Sequence, residues 1–170
     1  MIRATLLLTF LFILAAVPVL AAPEGAVSNP LTGLYSSDQP VGIVSDRLEA
    51  DDVSHQVHFV GNVVVRQGNF TLYAQAVTVR YLDGQRDIDQ VEAIGGVRIL
   101  QGNRVATGER ATLFNRESRI VLSGAAKVHQ GQDFIQGDEI TVFLNEDRSV
   151  VSGPQGTRVN AVIHPKKDQP

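Results

Sequence analysis

The 170-residue chain contains no cysteine. That excludes disulfide staples in the mature domain and, with no cysteine at a cleavage site, a bacterial lipoprotein anchor, so stability has to come from packing alone. A basic excess is missing too, since 15 Lys and Arg face 18 Asp and Glu for a net charge of -3. Such a chain has no field to draw it to DNA, RNA or an acidic lipid surface, and no nucleic-acid partner is expected.

Chemistry is equally sparse. The motif Gly-x-Ser-x-Gly does not occur, Ser123-Gly124 has no base beside it, and the Gln-Gly-Asn steps are not phosphate loops because no helix follows them. His55 and His58 are three apart, which on a strand puts them on opposite faces, and His129 and His164 have no acidic or histidine neighbours in sequence. No metal site, cofactor or enzymatic activity is expected. Carboxylates pair at Asp51-Asp52, at Asp46 with Glu49 and at Asp87 with Asp89. They suit turns and a solvated edge; a glycan hydrolase built on Glu49, Asp51 and Asp52 is the least favoured alternative.

Residues 1–22 read as a secretory signal peptide: Arg3, an apolar run from Leu6 to Val17, then small residues permitting cleavage after Ala21 or Ala22. Losing Arg3 leaves 14 basic against 18 acidic residues, a mature charge of -4. Residues 23–40, rich in Pro, Gly, Ser and Asn, are expected to be a flexible lead-in, and 164–170 a flexible tail. Between them, 41–163 consists of short β-branched runs punctuated by Gly, Asn and Asp, with no apolar residues at helical spacing. An all-β domain follows.

That domain repeats itself. Gly61–Leu72–Val79 has counterparts 34 residues on, from Gly95, and 63 residues on, from Gly124, without gaps. Gln67-Gly68, Gln101-Gly102 and Gln130-Gly131 coincide, as do Thr78, Thr112 and Thr141. The Gln-Gly step lets the chain reverse in a hairpin, and the glycine that opens each copy marks a bulge or bend inside a strand. Turn-forming pieces at 83–87, 115–118 and 145–148 join the copies, and strands are expected from Val41 to Glu49 and from Thr157 to Ile163.

Alternation sorts the faces. Val57, Phe59, Val63, Val65, Leu72, Val77 and Val79 share one face in the first copy; Val91, Val97, Ile99 and Leu113 in the second; Ile120, Leu122, Val128, Ile135, Ile140 and Val142 in the third. Ala93, Ala106, Ala111 and Ala126 join them, with Gly108 and Gly137 nearby. Small side chains leave room for a ligand between sheets, or equally let two sheets approach closely. The other face carries His58, Arg66, Thr78, Arg80, Arg98, Thr112, Lys127, His129 and Thr141 and is expected to be solvated. Bent antiparallel hairpins of this kind close into a barrel or form an open-ended jelly roll.

The order Val44-Ser45-Asp46-Arg47-Leu48-Glu49, then Val57 to Gly68, then Ala74 to Tyr81, resembles the LptA/OstA-like family of lipopolysaccharide export, and the later copies extend the likeness over Val41 to Ile163. The resemblance implies an OstA-like β-jelly roll of antiparallel hairpins with open ends. It further implies a periplasmic, non-enzymatic carrier that holds lipid A acyl chains of lipopolysaccharide against the apolar face and bridges inner and outer membrane. LptC-like and LptD-like OstA domains, and further copies of the chain in a head-to-tail homo-oligomer, are the implied partners. Val41, Ile43, Val44, Val159 and Val162 are the expected stacking edges. Gln75 departs from an acidic position that Glu109 and Asp138 keep. An LptC-like or other OstA-domain component, or a structural β-repeat protein with a filled core, are the alternatives.

Overall fold

The computed structural model describes residues 39–82, 87–146, 148–153 and 158–164; the expected leader, most of the expected lead-in, residues 83–86 of the expected turn, Thr157 and the expected tail beyond His164 lie outside the described residues. All elements within it are strands: β1 (Gly42–Val44), β2 (Arg47–Asp51), β3 (Gln56–Gln67), β4 (Phe70–Tyr81), β5 (Ile88–Gln101), β6 (Arg104–Phe114), β7 (Arg119–Ser123), β8 (Lys127–Gln130), β9 (Asp133–Gln136), β10 (Glu139–Phe143), β11 (Arg148–Ser152) and β12 (Asn160–Val162). Every pairing is antiparallel.

The bend glycines govern the architecture. Gly61, Gly95 and Gly124 have φ of 83°, 85° and 78°, and the residue after each, Asn62, Gly96 and Ala125, is left-handed as well, at 47°, 70° and 51°. Two left-handed residues in a row insert an extra residue, and the register of β3 on β4 shifts between Val60 and Val63, and that of β5 on β6 between Ile94 and Val97. Because these glycines fall in β3, in β5 and between β7 and β8, on every second strand of the sheet, the sheet folds over along one line. Asp46, Gln75 and Glu109 lie over the bulge glycines of the adjacent strand: a Cβ on Gly61, Gly95 or Gly124 would meet their side chains within 2.9 Å. Gln75 therefore stands over its glycine as Glu109 does.

Each half of the folded sheet is a layer of eight strands. The first runs β1, β3, β4, β5, β6, β8, β9, β12 and the second β2, β3, β4, β5, β6, β7, β10, β11, with β3 to β6 crossing both. This is the open jelly roll and not a closed barrel. In the third copy the long strands break outright, into β7 and β8 at Gly124 and into β9 and β10 at Gly137.

The expected single strand from Val41 to Glu49 is two. The Asp46 amide donates to the Gly61 carbonyl at 2.9 Å and Asn62 Nδ2 donates to Asp46 Oδ2 at 2.8 Å, so the bulge in β3 captures Asp46 and separates β1 from β2. The hairpin turns stand as expected, with Gly68, Gly102 and Gly131 at φ of 56°, 56° and 63°. Thr112, expected on the solvated face, is 7% exposed: it is a short side chain flanked on its strand by Arg110 and Phe114.

Candidate functional site

The interior is lined from both layers and is not uniform along its length. Between the first and second copies it holds a cavity of about 370 Å³, while in the third copy Leu122, Ala126, Val128, Ile140 and Val142 are each 4% exposed or less. Phe59, Val65, Leu72, Val77, Val79, Val91, Ile99, Leu113 and Ile120 line the cavity. Val63 and Val97, each 1% exposed, sit at the bulges where the layers meet. Leu122, Val128, Ile140 and Val142 are buried in the closed half, and Ile135 and Val57 are half-buried without lining the cavity. The shared face is thus one surface with two fates.

Small residues explain both. Ala93 and Ala111 lie opposite one another on β5 and β6 and widen the cavity wall. Gly108 and Gly137, in register with Ala74 of the first copy, do the reverse: Leu122 and Val151 lean into the space that a Cβ would take, 2.8 Å and 2.7 Å from it. At Gly108 and Gly137 the missing side chain lets a neighbouring strand come close, and at Ala93 and Ala111 the short side chain leaves its space to the cavity.

Several wall residues fall outside the sequence-based set. Phe70 and Tyr81 continue the alternation of Leu72 and of Val79 by one step, and Ile88 pairs with Tyr81 across β4 and β5. Ile43 was expected to be an edge contact, yet it pairs with Val65 in the inward row and lines the cavity beside Val41. An edge strand contributes alternate side chains to each face, so one residue in β1 had to point in. Val44, Val159 and Val162 are exposed. Gln67, its Nε2 donating to the Gln39 carbonyl at 2.9 Å, is the polar side chain at the rim.

Elsewhere the polar groups serve structure. Asp51 Oδ1 accepts from the Val53 and Ser54 amides at 2.9 and 3.3 Å and Oδ2 from Ser54 Oγ at 2.8 Å, closing the β2–β3 turn; these bonds, led by that of Ser54 Oγ, hold its carboxyl below its ordinary pKa. Glu49 pairs with Arg47 at 3.2 Å. His58 Nδ1 lies 3.1 Å from Thr78 Oγ1, and no cluster of three His, Asp or Glu side chains is found among the described residues. His164, isolated in sequence, meets Asp133 across the β9–β12 edge at 2.8 Å.

Comparison with known proteins agrees with this geometry. Residues 42–148 match the family model described as "LptA/(LptD N-terminal domain) LPS transport protein". The fold is similar to that of LptH from Pseudomonas aeruginosa, the LptA-homologous periplasmic component of its lipopolysaccharide transport device. The TM-score is 0.64 at 25% identity, over 75% of this chain and 96% of that one. An uncharacterized protein of Rhizobium meliloti (strain 1021) is 39% identical over 112 residues, 61% of this chain, and the chain spans 60% of that relative's length.

Proposed function

Because the chain belongs to the LptA/(LptD N-terminal domain) lipopolysaccharide transport family, we propose that it is an exported, periplasmic lipopolysaccharide carrier that holds lipid A acyl chains in the cavity between its layers. The observation that carries this reading is the cavity itself: about 370 Å³ walled by aliphatic and aromatic side chains from both layers. A filled core, which the structural-repeat reading requires, would have no such space. Each acyl segment buried there gains about 25 cal/mol per Å² of apolar surface wherever it lies, so neighbouring positions are nearly isoenergetic and movement along the wall meets little barrier.

Bridging of inner and outer membrane follows if copies, or LptC-like and LptD-like domains of the same build, stack edge to edge. Strand parity supports it. Each layer has eight antiparallel strands, so its first and last strands run in opposite directions, and a second copy placed head to tail meets both edges antiparallel with its apolar face still inward. Val44 and Val159 stand exposed at those edges, and a charge or proline at either position should lower the oligomer without unfolding the monomer.

A photoreactive residue tests the cavity. Placed at Phe59 or Val65 it should label lipopolysaccharide, and placed at Leu122, in the closed half, it should not; no label at Phe59 and Val65 would sink the reading.

A further inference from the structure

The outer face of the second layer carries a row of in-register residues that begins at Asp51 on β2 and ends with Phe114, Arg119, Phe143 and Arg148 on β6, β7, β10 and β11. Its last four members stack. The Arg119 guanidinium carbon lies 4.0 Å from the centre of the Phe114 ring and that of Arg148 3.8 Å from the centre of Phe143. Arg148 also gives its Nε to Glu146 Oε2 at 2.9 Å, which fixes the guanidinium on the edge strand. At the opposite edge Asp51 is fixed by its bonds to Val53 and Ser54. The row therefore starts in an ordered carboxylate and ends in an ordered guanidinium, each on a free edge.

We propose that two copies join in register, with Arg148 of one opposite Asp51 of the next, and that this ion pair sets the register and direction of the stack. The proposal rests on the stacking reading above and adds which residues decide it. Joined this way, Val151 falls beside Leu48 in the inward row, so the apolar surface continues across the joint, and Ser152 falls beside Arg47, one strand from Glu139. Slipping by one residue would turn every side chain of β2 to the wrong face. Slipping by two would bring Arg148 to Glu49, a carboxylate already paired with Arg47.

The chain has no cysteine, so single thiols can be placed on a clean background. The full-length chain, expressed with its own leader and purified from the periplasm, is made as Arg148→Cys, Asp51→Cys and Glu49→Cys. Opposed residues on paired strands hold their Cβ atoms ~4.5–5.5 Å apart and diagonal ones ~7–8 Å, so oxidation should link the Arg148→Cys protein to Asp51→Cys and not to Glu49→Cys. Arg47→Cys with Ser152→Cys, which leaves both charged partners in place, should link equally well. Separately, Arg148→Asp and Asp51→Arg should each weaken self-association about threefold or more, and mixing the two variants should restore it. Preferential linkage to Glu49→Cys, or no restoration by the charge swap, while the unaltered chain still oligomerises in light scattering, overturns the proposed register and leaves stacking intact. An unaltered chain that stays monomeric at every concentration overturns the stacking reading and the joint with it.

Discussion

A Cβ placed on Gly108 would lie 2.8 Å from Leu122 Cδ1 and 2.9 Å from the Ser123 carbonyl oxygen. This contact lets Leu122 occupy the space that a side chain at position 108 would take. Ala74 occupies the same repeat position and is buried without such a clash.

Gly108→Ala should destabilise the domain by ~1–3 kcal/mol, the usual cost of overpacking, since the Ser123 backbone cannot swing aside as a side-chain end could. Urea unfolding followed by circular dichroism would measure it, and an unchanged midpoint would mean that the two strands are not in tight contact.

The open and closed halves should respond differently to volume. Ala93→Phe fills the cavity and is expected to weaken binding of a fluorescent acyl probe about tenfold or more, by removing burial worth ~1.4 kcal/mol. Leu122→Ala should cost ~2–5 kcal/mol of stability through the hole it leaves, with probe affinity little changed.

At the third bulge the sequence carries an alanine where the first two carry Asn62 and Gly96. Ala125 has φ of 51° and no side-chain amide to compensate, so Ala125→Gly should relieve roughly 1 kcal/mol of left-handed strain, less the entropy that glycine loses on folding. A rise in melting temperature is expected; a fall would show that the methyl group contributes packing that outweighs the strain.

The C-terminal edge should loosen in acid. Hydrogen bonds from the His164 side chain and then its backbone amide lower the Asp133 pKa from its ordinary 3.8. A depressed folded pKa means that the contribution is complete above 3.8 and is lost as pH falls through the lower, folded value. The pair is exposed, so the effect is local: amide exchange at Ala161 to His164 should quicken at that pH, and Asp133→Asn should remove the dependence. Uniform exchange across the titration would refute it.

The repeat made much of this fold legible in the sequence. Bend glycines, turn glycines and the inward alternation appear three times, and agreement between copies separates a structural demand from chance. Phe70 and Tyr81 were within reach of the same alternation, one step past where it was followed. The strand break at Asp46 was not legible, because it is imposed by the bulge at Gly61, fifteen residues away, through the Asn62 to Asp46 bond. The His164 to Asp133 contact was hidden for the same reason, being made across a strand pairing 31 residues apart.

The sequence by itself determined an all-β chain, its three hairpins, their reversal points and which side chains point inward, since these follow from backbone conformation and period two alone. Only the tertiary structure decided which part of that inward face is empty. Cavity and closed core are lined by the same kinds of residue, and what distinguishes them is whether a neighbouring strand comes close enough for Leu122 or Val151 to enter the gap over a glycine, a matter of distance between strands that no local pattern encodes.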